Sequence, residues 1–137
     1  KKEIFKLSNG KYVAPQMVEN KLNESPYIAS SLVIGSDKKV AAAIIIPNDV
    51  QIQAWAAHQK MVFQDIENLY KTKEVNQLIH KEVERINKTV APHEQIKFFR
   101  LANDEWTTAN GLLSQTLKLR RSELNAYYEK TIEEIYK

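Results

Sequence analysis

Apolar and polar positions along the chain fall into short runs of alternation and longer runs at helical spacing. In the opening "KKEIFKLSNGKYVAP", the segments "IFK" and "KYVA" read as two strands. Leu7-Ser8-Asn9-Gly10 is the tight turn between them, with Gly10 supplying a positive φ at low cost. Pro15 is placed to begin a helix through Met17, Val18 and Leu22, because proline suits the first helical position, and Ser25-Pro26 stops it. "YIASSLVIG" and "KVAAAIIIP" are β-branched runs separated by the polar turn Gly35-Ser36-Asp37-Lys38, which predicts an antiparallel hairpin. Ile44 to Ile46 is apolar without alternation, so that strand is expected to be covered on both faces and flanked by helices.

Asn48 is a candidate N-cap for a helix carrying Val50, Ile52 and Trp55. Val75, Leu78, Ile79, Val83 and Ile86 then share one face of a second helix, with Lys81, Glu82, Glu84 and Arg85 largely outside it. Burying five such side chains at roughly 1.5–3 kcal/mol each makes this a core helix, closed by Ala91-Pro92. "QIKFFRL" reads as a third long strand. "SELNAYYEKTIEEIYK" reads as one terminal helix, capped by Ser122, with Leu124, Tyr128, Ile132 and Ile135 on its buried stripe. No internal repeat or low-complexity segment interrupts this order. The expected fold class is α+β, a small sandwich of a short β-hairpin and a three-stranded sheet packed with helices.

Composition narrows the picture without changing it. The 137 residues suit one domain, 1–137, and 43% apolar with 27% charged residues is the balance of a globular chain. A net charge of +3 is a small difference between 20 basic and 17 acidic residues, too weak to argue for nucleic acid. The absence of cysteine removes thiolate metal sites and thiol nucleophiles, and with no secretory or membrane-spanning run it suggests a cytoplasmic setting, peripheral membrane contact being left open. His58, His80 and His93 are too scattered for a ligand set, so no metal site is expected. Trp55 and Trp106 are expected to fill core or interface, and Glu82 and Glu84, two apart on a helix, face different directions.

Two stretches fit plain folding logic poorly. Around the first glycine turn, Lys6, Ser8 and Lys11 make either an ordinary hairpin surface or one that lies against a phosphate-bearing ligand. In "NGLLSQTLKLRR", Leu112, Leu113, Leu117 and Leu119 are expected to tether a loop whose Ser114, Gln115, Thr116 and Lys118 face outward. Lys118 is either a solvated surface lysine or a mobile point charge for a carboxylate or phosphate, while Arg120 and Arg121 offer planar forks for anchoring.

Together the two stretches resemble motifs in the C-terminal domain of the adenylate-forming enzymes, the superfamily of acyl-CoA synthetases, luciferase and nonribosomal peptide adenylation domains. The first resembles the segment crossing from the large domain into the small one, and Lys2, Glu3, Ile4, Gly10, Pro15, Val18 and Glu19 hold its positions. The arginine that precedes this segment in the family would lie before Lys1, so the chain reads as a small, mobile domain cut at its hinge, with the large domain absent. "GLLSQTLKLRR" resembles the second motif: Lys118 matches its catalytic lysine and Arg121 its trailing arginine. Leu117, where the broad form has glycine, points to the AMP-forming long-chain fatty acyl-CoA synthetases; Ser114 and Gln115 replace the usual Thr-Pro.

The resemblance implies a ligase in which a fatty acid and ATP form an acyl-adenylate and coenzyme A then displaces AMP. It assigns Lys118 to adenylate formation, Lys2 to the hinge, Lys6, Ser8, Gly10 and Lys11 to the hairpin of the thioester step, and Thr116 and Arg121 to support of the loop. ATP and CoA are substrates, with Mg2+ held in the absent domain. The partner is the N-terminal adenylate-binding domain of the same chain, and the isolated domain is expected to be inactive. The competing expectation is a noncatalytic module of similar fold that binds RNA or protein.

Overall fold

The computed structural model describes residues 3–137. It has two compact units, one ending at Asn103 and the other formed by Asp104–Lys137. The first unit opens with the small hairpin, β1 (Phe5–Lys6) and β2 (Tyr12–Val13), followed by α1 (Pro15–Leu22). A three-stranded sheet, ordered β3-β4-β5, consists of β3 (Ile28–Ile34), β4 (Ala41–Pro47) and β5 (Ile96–Leu101). β3 and β4 are the expected antiparallel hairpin. β5 lies parallel to β4 and is reached by a crossover through α2 (Asp49–His58), α3 (Ile66–Tyr70) and α4 (Lys73–Asn87). This is the α+β arrangement that the alternation of periods predicts.

β4 is central, and Ala41 to Ile45 are all buried, as its lack of alternation implies. On one face Val33, Ala43 and Ile45 join Val18 and Leu22 of α1 and Val75, Ile79, Val83 and Ile86 of α4 in the main core. On the other face Leu32 sits opposite Ile44 and Ile34 opposite Ala42, all buried. Two polar side chains stitch this layer at its edges. Glu19, itself buried, accepts a hydrogen bond from the backbone N–H of Val33 on the edge strand at 2.8 Å. Asn87, at the end of α4, accepts from Ile96 N–H at 2.8 Å and donates to the Ile96 carbonyl at 3.0 Å, setting where β5 starts. Both satisfy backbone groups that would be costly to bury bare.

Of the apolar residues on α2, Val50 is exposed, because two residues along a helix is about 200° of rotation and Ile52 and Ala56 take the inner face. The five-residue α3, capped by Asp65, carries too few residues to show a period and was not foreseen. In the second unit the terminal helix is two helices, α5 (Arg121–Tyr127) and α6 (Glu129–Ile135), and its N-cap is Arg120, not Ser122. The break falls at Tyr128, whose backbone leaves helical geometry while its hydroxyl donates to Asp104 at 2.7 Å and accepts from Trp106 Nε1 at 2.9 Å. Leu124, Tyr128 and Ile135 are buried as expected, and Ile132 is only half-buried. Among the described residues no helix is long and apolar enough to cross a membrane.

Candidate functional site

The two stretches that folding logic explained poorly form the same small structure. In the first unit, Leu7 N–H donates to the Lys11 carbonyl at 2.8 Å and Gly10 N–H to the Leu7 carbonyl at 2.9 Å. In the second, Ser114 N–H donates to the Lys118 carbonyl and Leu117 N–H to the Ser114 carbonyl, both at 2.8 Å. Each is a three-residue hairpin loop whose last residue is left-handed, Gly10 at φ +88° and Leu117 at φ +64°, and each is followed at once by a lysine. Glycine adopts this conformation freely, whereas a leucine held there costs on the order of 1–2 kcal/mol.

The Lys118 loop is braced from within its own unit. Leu113 and Leu119 form an antiparallel bridge at its neck. Ser114 Oγ accepts from Lys118 N–H at 3.1 Å and lies 3.1 Å from the Thr116 hydroxyl, so the serine in place of the family's threonine keeps a hydroxyl in the turn. Gln115 occupies the turn position where proline is favoured but not required. Asn110 is the bracket below: its carbonyl oxygen accepts from the N–H groups of Thr107 and Leu112, and its amide donates to the Glu105 carbonyl at 2.7 Å. Arg120 donates through Nη1 to the Gly111 carbonyl at 3.0 Å, and its backbone N–H donates to Leu112. Leu112 is buried, but Leu117 does not tether the loop as expected; it is 70% exposed. Lys118 is exposed, and its ammonium makes no hydrogen bond or ion pair among the described residues.

Within the same unit, burial pushes the Tyr128 hydroxyl well above its ordinary range, with Asp104 raising it further and the Trp106 N–H opposing. It therefore stays a neutral donor to Asp104. Arg121 opens α5, where its carbonyl accepts from Asn125 at 2.7 Å, so its position is set by the helix start.

The first hairpin is anchored to the turn between β3 and β4: Asp37 N–H donates to the Lys6 carbonyl at 2.9 Å and Ser8 N–H to the Lys38 carbonyl at 2.8 Å. Lys6, Ser8, Gly10 and Lys11 are all exposed around it. Beside them lies an open groove of about 500 Å³ lined by Asn9, Lys11, Lys39, His93, Gln95 and Lys97. Three ammonium groups and an imidazole around one concavity suit a ligand with several negative charges. Sequence reasoning found Lys11 but missed Lys39, His93 and Lys97. They come from the β3–β4 turn, the segment before β5 and β5 itself, and no linear pattern joins them. Lys2, expected at the hinge, lies outside the described residues. Among the described residues no group of three or more His, Asp or Glu is arranged to hold a metal ion.

Against known proteins, residues 2–137 match the family model described as AMP-binding enzyme C-terminal domain. The chain is 36% identical over 139 residues to long-chain-fatty-acid–CoA ligase 6 of Rattus norvegicus, covering 99% of this chain and 20% of that protein. It is 34% identical over 140 residues to long-chain-fatty-acid–CoA ligase 1 of Homo sapiens, again covering 99% and 20%. It thus spans about a fifth of the length of these relatives. Among solved structures, the adenylation domain of a carboxylate reductase from Mycobacterium chelonae superposes with a TM-score of 0.77 at 24% identity, covering 97% of this chain and 19% of that one. That likeness concerns the fold.

Proposed function

The chain belongs to the family of AMP-binding enzyme C-terminal domains, and from that membership we propose that it is the small domain of a long-chain fatty acyl-CoA ligase, with Lys118 as its catalytic lysine. The observation that carries the proposal is an exposed ammonium without a partner of its own, displayed at the end of a turn that four side chains brace.

In the first step a carboxylate oxygen of the fatty acid attacks the α-phosphorus of ATP. The P–O bond to pyrophosphate breaks and the acyl-adenylate forms. Negative charge shifts through the α-phosphoryl oxygens toward the leaving group, and a cation already in place in a dry cleft stabilises that shift without reorganising. Lys118 supplies the cation from this domain. The cleft belongs to a larger N-terminal adenylate-binding domain of the same chain, and the domain described here is inactive alone. Mg2+ accompanies ATP, with its ligands in the larger domain.

In the second step the thiol of coenzyme A attacks the acyl carbonyl, the bond to AMP breaks and the thioester forms. The small domain turns about Lys2, withdraws Lys118 and presents the Lys6–Lys11 hairpin. Gly10 has no heavy atom within 4 Å of where a Cβ would stand, which leaves its backbone open to the pantetheine arm. The basic groove beside Lys11 supports a role for this face with the phosphates of coenzyme A.

Acid-dependent exchange of pyrophosphate into ATP by the intact enzyme, with a palmitate-like acid, tests the assignment because it needs no coenzyme A. Lys118→Ala is expected to lower exchange about 10²–10³-fold, the loss that follows removal of a single transition-state donor. Conversion of supplied acyl-adenylate to thioester is expected to persist. Unchanged exchange would remove Lys118 from the chemistry and favour a noncatalytic module.

A further inference from the structure

Leu117 is out of place by every local criterion. The same hairpin loop occurs at residues 7–11 with glycine in the left-handed position, so the turn itself does not call for a side chain there. Leu117 adopts φ +64° and leaves its side chain 70% exposed. It thus carries a backbone cost and an apolar exposure together, and neither is repaid inside the domain. It is also the residue immediately before Lys118. Whatever surface Lys118 enters, an isobutyl group enters beside it.

We propose that Leu117 is an apolar seal that excludes water from the acyl-adenylate while the Lys118 loop is in place, an inference that rests on the assignment of Lys118 above. The adenylate is a mixed anhydride. If water reaches it, the water oxygen adds to the acyl carbonyl, the carbonyl carbon–oxygen bond to the AMP phosphate breaks, and free acid, AMP and a proton are released. That reaction consumes ATP without making product. An apolar side chain at the mouth of the cleft displaces the attacking water.

The test uses the intact enzyme with ATP, a palmitate-like acid and pyrophosphatase but no coenzyme A, and measures AMP release beside pyrophosphate exchange run without the pyrophosphatase. Leu117→Ala keeps the left-handed strain and loses the apolar group; Leu117→Gly loses both. Both are expected to raise thiol-independent AMP release about tenfold while exchange stays within about threefold of wild type. Leu117→Met, which retains the apolar bulk, is expected to match wild type. Unchanged AMP release in both the alanine and glycine variants overturns the seal. So does a rise in the glycine variant alone, which would trace the effect to the backbone, or a collapse of exchange like that of Lys118→Ala, which would make Leu117 a positioning residue for the lysine. The Lys118→Ala control separates the two levels: full exchange there overturns the underlying assignment, whatever Leu117 does.

Discussion

Gly35→Ala should damage the domain where it holds the first hairpin. A Cβ at Gly35 would stand 3.1 Å from Phe5 Cε1, 3.2 Å from Ala41 Cα and 3.3 Å from Leu7 Cδ2. The Ala41 contact is backbone in the central strand and cannot move, so Phe5 and Leu7 of the hairpin must give way. The residue also sits at φ +151°, outside the range that side chains tolerate. Overpacking of this kind costs about 1–3 kcal/mol and the backbone conformation a similar amount, so about 3 kcal/mol in total is expected after relaxation. Thermal unfolding of the chain, followed by circular dichroism, should show a drop of about 10 °C. Gly10→Ala is the internal control. It shares a positive φ but meets no heavy atom within 4 Å, so it should cost only about 1 kcal/mol. Under the function proposed above, the displaced hairpin should slow the thioester step of the intact protein more than pyrophosphate exchange. A Gly35→Ala chain as stable as Gly10→Ala would refute the reasoning, because it would mean that the hairpin is not seated on this turn.

Glu19→Ala removes a buried carboxylate from the N–H of an edge strand and should cost about 2–3 kcal/mol in urea denaturation; a loss below about 0.5 kcal/mol would show that the strand edge finds water instead. Burial pushes the Tyr136 hydroxyl up to about 12, above its value of about 10 in an unfolded chain. The folded state therefore holds that proton more tightly, so this contribution is intact below about pH 10 and lost as pH rises from about 10 to 12. Melting temperature should fall across that window, and less steeply in Tyr136→Phe; parallel slopes for the two chains would contradict the assignment.

Much of this domain is legible in one dimension because the physics concerned is local. The 3.6-residue period of Val75, Ile79, Val83 and Ile86 demands a helix with one buried face, and that is α4. The glycine turn of residues 7–10, the β3–β4 hairpin and the unalternating run of the central strand need only neighbours within a few residues to be recognised. Lys118 is legible for a different reason. Its motif is contiguous, so the register of the candidate lysine comes from the amino-acid order alone.

What tertiary structure decided involves partners far apart in sequence. Glu19 has no partner assigned in the sequence, and the edge of β3 brings it an N–H fourteen positions away. The terminal helix reads as continuous until Asp104 and Trp106 hold Tyr128 by its hydroxyl. Lys39, His93 and Lys97 share a groove with Lys11 only because the β3–β4 turn docks on the hairpin and Asn87 sets the start of β5. Leu117 reads as one more apolar anchor in a leucine-rich loop, yet the hydrogen bonds that close the turn force it left-handed and outward. Periodicity encodes which face of an element is apolar. Which distant backbone group a polar side chain must satisfy, and which apolar side chain is left over once the turn has closed, is settled when the chain packs, because an unpaired buried donor costs more than local propensity can offset.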